Sequence, residues 1–355
     1  MAAQPIQPFS DPRVRHCRAQ LNGRTYHYLL GQPSGGFRAT VFLIHGWPDL
    51  SFGWRYQIPT LVDLGLRVVC PDSMGYGGTD APKVPPESIS LYGFKRAADD
   101  MKELARQLGA PKIILGGHDW GGAIVQRIAL HHPELVSHLF SICTPYFPPS
   151  KSYKSTEEVV RGGLSNFTYQ IQLSGPEVEA NVQNKDQIRL FLNAMYGGTN
   201  DRHEAGFSVL EGVLFDKLPT LRRNPLLTDQ VSSTDSSEKS PHADRAKELD
   251  YYAEQFSRNG LHGPLNWYRT RQQNFDDEIN LDPNTTIDVP FLFIQATKDA
   301  ALPPAMSRHM AHFFPHMTKK NIAAGHWVTW QKPEEVNGIL KEWISDVVFS
   351  EKSRL

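Results

Sequence analysis

Short apolar runs alternate along this chain with longer segments whose apolar residues recur every three or four positions. The runs cover residues 40–44, 67–70, 113–115, 135–142 and 289–294, and they resemble buried strands. The clearest helical spacing lies within residues 90–108, where one face carries Leu91, Phe94, Ala97, Met101, Leu104 and Leu108. This alternation predicts an α/β fold with a mostly parallel central sheet flanked by helices.

The two ends of the chain extend this pattern. Residues 18–30 contain two strand-like runs around Asn22-Gly23, a pair typical of a tight hairpin turn. Towards the C-terminus we expect a helix from Pro303, a short edge strand near residues 320–322 and a last helix over residues 333–348.

The alternation stops at Thr144-Pro145 and resumes near Val289. Residues 146–271 have helical spacing without a convincing strand, so we predict a helical cap inserted into the α/β core. Residues 1–145 and 272–355 then form the two parts of the core. Within the cap, residues 232–244 are rich in Ser, Asp, Glu and Lys, which predicts an exposed, mobile loop.

Composition excludes several classes of function. The 355 residues contain 37 Lys and Arg against 38 Asp and Glu, which leaves a net charge of -1. This balance argues against nucleic acid or an anionic membrane as a partner. No segment is long and apolar enough to span a membrane. The three cysteines lack the spacing of metal ligands and fit a reducing compartment.

The chain termini bear on localisation. The first eleven residues lack the apolar segment of a signal peptide. Ser353-Arg354-Leu355 matches the peroxisomal Ser-Lys-Leu signal except for the central Arg. We therefore expect a cytoplasmic protein, a peroxisomal one, or both, with the peroxisomal import receptor as a partner if this tripeptide is used.

A candidate site follows the run at residues 113–115. Gly117-His118-Asp119-Trp120-Gly121-Gly122 separates this strand from a helix-forming segment. Glycines suit a sharp strand-to-helix turn because they allow unusual backbone angles and close backbone approach. The layout resembles the nucleophile elbow of the α/β-hydrolases, G-x-S-x-G, with Asp119 in place of the serine. The resemblance implies an α/β-hydrolase fold in which Asp119 is the nucleophile.

Two further residues follow in the order of an α/β-hydrolase triad. Asp299 comes just after the predicted strand at 289–294, and His326 lies in the loop before the last helix. Ligands of open α/β sheets bind at the carboxyl ends of the strands, so the three groups are expected to meet there. Asp299 would hold one imidazole nitrogen of His326 and leave the other free to take a proton from water.

An Asp nucleophile restricts the reaction. A serine that attacked a saturated carbon would form an ether, whereas a carboxylate forms an ester, which water hydrolyses. Asp119 thus predicts attack on an epoxide or on a carbon–halogen bond. We expect the backbone N–H groups of Trp47 and Trp120 to bind the oxyanion formed during ester hydrolysis. An epoxide oxygen also needs an acid, and the cap offers tyrosines, which stay protonated at neutral pH.

The chain as a whole resembles the soluble epoxide hydrolases of the α/β-hydrolase superfamily. The motifs that carry the likeness are His45-Gly46-Trp47-Pro48-Asp49, Trp54-Arg55-Tyr56-Gln57-Ile58-Pro59, Gly75-Tyr76-Gly77, Gly117-His118-Asp119-Trp120-Gly121-Gly122, Phe167-Thr168-Tyr169-Gln170, Gly263-Pro264-Leu265-Asn266-Trp267-Tyr268-Arg269 and Gly325-His326-Trp327. The resemblance implies hydrolysis of an epoxide to a vicinal diol without a cofactor. It also implies that Tyr169 and Tyr268 bind and protonate the epoxide oxygen. Trp47, Trp120 and Phe167 are predicted to line the substrate pocket.

Two other interpretations stay open. A haloalkane or haloacid dehalogenase shares the Asp elbow, but usually has a halide-binding Asn or Trp where this chain offers tyrosines. A binding protein on the hydrolase fold is the non-catalytic alternative, although no member of the triad is missing. His309, His312 and His316 are interpreted as a solvated helix face rather than a metal site. Either a monomer or a dimer is compatible with the sequence.

Overall fold

A central sheet organises the computed structural model, which describes residues 4–222, 224, 226 and 241–350. The strands are β1 (Val14–Leu21), β2 (Arg24–Gly31), β3 (Ala39–Ile44), β4 (Leu66–Pro71), β5 (Ile113–His118), β6 (Val136–Ile142), β7 (Phe207–Ser208), β8 (Gly212–Val213), β9 (Phe291–Ala296) and β10 (Met317–Ile322). Eight of them form one sheet in the order β1-β2-β4-β3-β5-β6-β9-β10, while β7 and β8 form a separate hairpin.

The large sheet is parallel from β4 to β10, and β1 and β2 add an antiparallel edge. Strands β4, β5 and β9 are buried along their whole length, which explains their continuous apolar sequences. Asn22 and Gly23 both have positive φ, as the two-residue turn between β1 and β2 requires. The predicted mostly parallel sheet and its hairpin are therefore confirmed.

Helices flank the sheet and fill the segment between β6 and β9. They are α1 (Gln57–Asp63), α2 (Phe94–Gln107), α3 (Trp120–His131), α4 (Thr156–Arg161), α5 (Tyr169–Ser174), α6 (Glu177–Asn181), α7 (Lys185–Met195), α8 (Pro241–Ser257), α9 (His262–Arg269), α10 (Arg271–Glu278), α11 (Met310–Phe313), α12 (Val328–Gln331) and α13 (Pro333–Trp343). No helix of the described residues is both long and apolar enough to cross a bilayer.

Two predicted helices differ at their ends. The helix expected over residues 90–108 starts later, because Ile89–Tyr92 is a 3-10 turn and Gly93 is extended. The Asn274 side chain accepts the Phe94 N–H at 2.8 Å, so a residue 180 positions away marks where α2 begins. The last helix ends at Trp343 and continues as a π-helical turn, Ile344–Val348.

The segment between β6 and β9 also contains the β7–β8 hairpin, so the prediction of no strand there is wrong. Strands of two residues are too short for apolar alternation to reveal. The Gln172 side chain binds both the N–H (2.6 Å) and the C=O (3.2 Å) of Val213, which ties the hairpin to α5.

The prediction of a loop over residues 232–244 is wrong for its last four residues, because α8 begins at Pro241. Residues 232–240 and 351–355 lie outside the described residues.

A buried polar cluster joins α8 to the loop after β3. Arg55 Nη2 is 2.9 Å from Glu248 Oε2, and both side chains are buried. Tyr252 donates its hydroxyl to Asp49 at 2.6 Å. Burial raises the pKa of Asp49 to about 7, against hydrogen bonds from Tyr252 and Leu50 that lower it. Because Asp49 follows Trp47 by two residues, this cluster anchors α8 directly behind the predicted oxyanion loop.

Breaking the buried ion pair should destabilise the fold. Glu248→Gln leaves the buried Arg55 guanidinium without its counter-ion, so we expect the free energy of unfolding to fall by about 3 kcal/mol. Urea unfolding measures this change. Glu254→Gln on the same helix is the matched control, because its pair with Lys185 is solvent-exposed, and its midpoint should stay at the wild-type value. Equal midpoints for the two variants would contradict the assigned role of the buried pair.

Candidate active site

Asp119 lies at a sharp turn between β5 and α3. Its φ of 54° is in the left-handed region, which is rare for a non-glycine residue. A Cβ at Gly117 would clash with the Gly121 backbone, and a Cβ at Gly121 would clash with the Ile44 backbone. The glycines around Asp119 are therefore required by close backbone approach, and the turn presents the carboxylate at the carboxyl end of the sheet.

Backbone and side-chain donors hold Asp119 in place. The Trp47 N–H donates to Asp119 Oδ1 at 2.7 Å, as predicted for the loop after β3. Thr144 Oγ1, in the loop after β6, donates to the Asp119 carbonyl at 2.7 Å. Among the described residues, the Trp47 N–H is the only one of the two predicted oxyanion donors that is hydrogen-bonded to the Asp119 carboxylate. The Trp120 N–H stands at the first position of α3.

His326 stands between two carboxylates. Its Nδ1 is 2.8 Å from Asp299 Oδ2, and its Nε2 is 3.5 Å from Asp119 Oδ2. Asp299 Oδ1 accepts the N–H groups of Ala301 (2.9 Å) and Leu302 (3.0 Å), which fix the carboxylate. His118 lies behind the triad, with its Nε2 2.8 Å from the His326 carbonyl oxygen. The structure thus brings together the three side chains that the sequence placed after β5, β9 and β10.

The electrostatics suit an imidazole that binds and releases a proton. Burial alone would lower the pKa of His326, but the Asp299 charge and hydrogen bonds to Asp119 and Asp299 raise it well above its usual value. Burial opposes the charge of Asp299, yet the facing imidazole and the Leu302 N–H lower its pKa to about 2. Burial and the neighbouring His326 lower the pKa of His118 to about 4, so His118 stays neutral.

Two tyrosines face this triad from the segment between β6 and β9. Tyr169 begins α5 and Tyr268 lies on α9, with ring centroids 6.2 Å apart and both side chains buried. Gln170 Nε2 donates weakly to the Tyr169 hydroxyl at 3.5 Å. Burial and the Asp119 charge raise the pKa of Tyr169; burial, Tyr169 and Asp119 raise the pKa of Tyr268. Both hydroxyls therefore keep their protons at neutral pH.

A cavity of about 440 Å³ connects these groups. Asp119, Trp120, Phe167, Tyr169 and Tyr268 all line it. This size is typical of a small-molecule site.

Trp47 is not among the residues that line this cavity, so the predicted pocket role of its side chain does not hold here. Its indole packs against Tyr76, Phe191 and Phe256 as well as against the ring of Tyr268. The aromatic rings of α7 and α8 cover this side chain, so its backbone N–H is the group that faces Asp119.

Known proteins share both the sequence and the fold. The sequence pattern of the alpha/beta hydrolase fold family matches residues 39–333. The epoxide hydrolase srdG of Neurospora crassa is 40% identical, over 94% of this chain and 96% of its own length. The chain belongs to the epoxide hydrolase family. The crystal structure of epoxide hydrolase A from Mycobacterium thermoresistibile superposes with a TM-score of 0.76 at 30% identity, covering 94% of this chain and 98% of that one.

Relatives in the epoxide hydrolase family differ in length. Epoxide hydrolase A of Mycobacterium tuberculosis is 31% identical over 86% of this chain and 90% of its own length. Bifunctional epoxide hydrolase 2 of Rattus norvegicus is 33% identical, but this chain spans only 52% of it.

In this member of the epoxide hydrolase family, sequence reasoning missed Thr144. The available signal was its position just after β6, because that loop starts at the same edge of the sheet as the elbow.

The described residues also bring together His118, Cys143 and His326, whose ligand atoms lie within 4.8 Å of one another, a grouping that could hold a metal ion. His118 Nε2 and the Cys143 thiol already contact the His326 carbonyl, and Asp299 holds His326 Nδ1. We assign these three residues to the support of His326.

Proposed function

We propose that the protein hydrolyses epoxides to vicinal diols through a covalent ester on Asp119. One observation carries the proposal: a carboxylate held by a backbone N–H lines the same cavity as two protonated tyrosines. The carboxylate supplies a nucleophile for carbon, and the tyrosines supply the acid that an epoxide oxygen requires. We propose residues 146–271 as the cap that carries this acid.

In the first step, a carboxylate oxygen of Asp119 attacks one epoxide carbon. A new C–O bond forms, the C–O bond of the ring breaks, and its electron pair moves to the ring oxygen. Tyr169 or Tyr268 gives that oxygen a proton while the other tyrosine holds it by a hydrogen bond. The Trp47 N–H keeps Oδ1 in place, so Oδ2 is the freer oxygen for attack.

In the second step, His326 takes a proton from a water molecule, which attacks the carboxyl carbon of the ester. The Trp47 N–H stabilises the oxyanion that develops on Oδ1, and we propose the Trp120 N–H as the second donor. The ester bond then breaks and the diol leaves with a proton from His326. The proton that remains on the carboxyl group of Asp119 passes to the tyrosinate formed in the first step, which restores both the carboxylate and the phenol. Asp299 holds the imidazole in the orientation and tautomer that this transfer needs.

Removing the acid should slow only the first step. Tyr169→Phe and Tyr268→Phe are each expected to slow ester formation about 10²-fold, because one tyrosine still protonates the alkoxide. The double variant should lose more than either single variant, while hydrolysis of a preformed ester stays near the wild-type rate. Rapid-quench kinetics separates the steps. Tyr153→Phe, which removes the hydroxyl of a half-exposed tyrosine in the same cavity lining, is the control; an equal loss there would contradict the assignment.

The second step should depend on pH through His326. In the free protein two carboxylates favour the protonated imidazole, and ester formation removes the charge of Asp119. The pKa of His326 should therefore fall in the ester, which yields the neutral base at neutral pH. Single-turnover ester hydrolysis between about pH 5 and pH 9 should rise with pH and reach half its maximum below the pKa that NMR finds for His326 in the free protein. Identical values in the two states would contradict this coupling.

A substrate panel tests the reaction class. Purified protein is incubated with styrene oxide, stilbene oxide and bromobutane, and both diol and bromide are measured. Diol from the epoxides without bromide release supports the proposal. Bromide release without any diol would identify the dehalogenase alternative, and neither product would favour the binding protein.

We also propose that the protein resides in the cytoplasm, in peroxisomes, or in both, with Ser353-Arg354-Leu355 as the import signal. This tripeptide lies beyond the described residues. A fluorescent protein fused to the last residues should enter peroxisomes, and deletion of Leu355 should leave it in the cytosol. Diffuse fluorescence of both fusions would exclude peroxisomal import.

A further inference from the structure

The first step of the proposed reaction leaves a negative charge on a tyrosine. When Tyr169 or Tyr268 gives its proton to the ring oxygen, its O–H bond breaks, and its phenol oxygen takes on the charge that Asp119 loses in forming the ester. Both tyrosine side chains are buried, so water cannot fully stabilise this charge. The site therefore needs neutral hydrogen-bond donors that already face the two phenol oxygens.

The indole of Trp120 supplies a donor beside Tyr268. The two rings stand edge to face, with their centroids 5.2 Å apart and an interplanar angle of 77°. Phe94 packs against the same indole at a centroid distance of 5.8 Å, which holds the indole in place. Trp120 Nε1 is buried, and among the described residues it has no hydrogen bond of full geometry. Because a buried N–H without a partner costs free energy, this group gains most when an anionic oxygen forms next to it.

The Trp120 N–H faces the Tyr268 hydroxyl. Burial, Tyr169 and the charge of Asp119 raise the pKa of Tyr268, whereas a hydrogen bond from Trp120 acts to lower it. In the free protein this contact falls short of full hydrogen-bond geometry. We expect it to tighten when the phenol oxygen becomes charged, because catalytic hydrogen bonds are often long before the reaction and shorten as charge develops.

The amide of Gln170 has the same relation to Tyr169. Its Nε2 lies 3.5 Å from the Tyr169 hydroxyl oxygen, at the long limit of a hydrogen bond. Burial and the charge of Asp119 raise the pKa of Tyr169, whereas hydrogen bonds from Gln170 and Tyr268 act to lower it. Both Gln170 and Trp120 line the cavity that contains Asp119. Each tyrosine thus has a neutral donor of its own, on α3 for Tyr268 and on α5 for Tyr169.

We propose that Trp120 and Gln170 are positioning residues for the acid. The Trp120 indole N–H stabilises the phenolate of Tyr268, and the Gln170 amide stabilises the phenolate of Tyr169. This inference rests on the proposed epoxide hydrolysis and gives the side chain of Trp120 a role separate from that of its backbone N–H. Neither donor loses its proton. The proton that ester hydrolysis leaves on the Asp119 carboxyl group returns to the phenolate, and the donor contacts then lengthen again.

Double-mutant cycles test this pairing, because each donor should act only through its own tyrosine. In Tyr169→Phe, Tyr268 is the acid that remains, and Trp120→Phe should slow ester formation about tenfold, as expected for the loss of one hydrogen bond to a charged group. In Tyr268→Phe, the change Trp120→Phe should alter this rate by less than about twofold. Gln170→Leu should show the reverse pattern in the same two variants. Rapid-quench kinetics with styrene oxide measures ester formation, and hydrolysis of the preformed ester should stay near the wild-type rate.

Trp54→Phe is the matched control for the loss of a buried indole N–H. Among the described residues Trp54 Nε1 also lacks a hydrogen-bond partner, but its ring packs against Phe140 in the core and does not line the cavity. This variant should form the ester at the wild-type rate.

Two outcomes would overturn the inference. One is an equal loss from Trp120→Phe in the two tyrosine variants, and the other is a loss confined to ester hydrolysis. Gln170→Leu changes a half-buried side chain and is judged in the same way, so the test stays decisive if Trp120→Phe does not fold. If wild type forms neither ester nor diol from any epoxide, the proposed function itself is overturned.

Discussion

Asp119→Asn lowers kcat for epoxide hydrolysis by at least about 10⁴-fold, because the amide cannot supply the attacking oxyanion. The variant keeps the fold, since Asn adopts a positive φ with little strain and its side-chain oxygen still accepts the Trp47 N–H. Steady-state diol formation measures the loss, and thermal unfolding confirms that the elbow is intact.

A matched carboxylate separates this loss from a general effect of charge. Asp72→Asn removes a buried carboxylate that binds His27 and the Ser51 N–H but does not line the cavity. This variant should lose stability and keep most of its kcat under conditions where it is folded. If Asp119→Asn retained more than about a tenth of the wild-type kcat, direct attack by Asp119 would be excluded.

His326→Gln should stop the reaction after its first step. Ester formation needs no base, so one equivalent of epoxide reacts, whereas ester hydrolysis slows about 10³-fold without the imidazole. Intact-protein mass spectrometry should then show the enzyme carrying the mass of one epoxide, with the modification on Asp119. One equivalent of epoxide per active site should therefore be consumed rapidly, followed by very slow release of diol.

Variants of Asp299 and His118 should show the same accumulation of ester to a smaller extent than His326→Gln. Asp299→Asn keeps the imidazole but loses the anion that orients it, so the ester should accumulate less fully than in His326→Gln. His118→Gln changes only a contact to the His326 carbonyl, and its effect should be the smallest of the three. An unmodified Asp119 in His326→Gln after exposure to epoxide would contradict the separation into two steps.

The sequence predicts those parts of the site whose positions are determined by the carboxyl edge of the sheet. Asp119 directly follows β5, and Asp299 and His326 lie in the loops after β9 and β10. Parallel strands end at one edge, so chain order and strand position suffice to bring the three side chains together. The Trp47 N–H reaches Asp119 for the same reason, because β3 and β5 are paired neighbours. The glycines around Asp119 predicted the sharp turn, and the adjacency of the strands explains why the other groups lie next to it.

Other features depend on contacts between distant segments. The start of α2 is marked by Asn274, and the β7–β8 hairpin is held by Gln172, neither of which follows from local periodicity. The indole of Trp47 was expected in the pocket, but aromatic side chains of α7 and α8 cover it. The cavity is lined by residues from several distant segments, so it emerges only from their packing.

Single-turnover hydrolysis in oxygen-18 water tests the central claim most directly. With enzyme in excess over styrene oxide, water attacks the carboxyl carbon of the ester, so the first diol carries no label and the peptide containing Asp119 gains one oxygen-18. A second turnover of the labelled enzyme in ordinary water should then pass this label to the diol. Label found directly in the diol of the first turnover, with Asp119 unlabelled, would contradict the covalent ester.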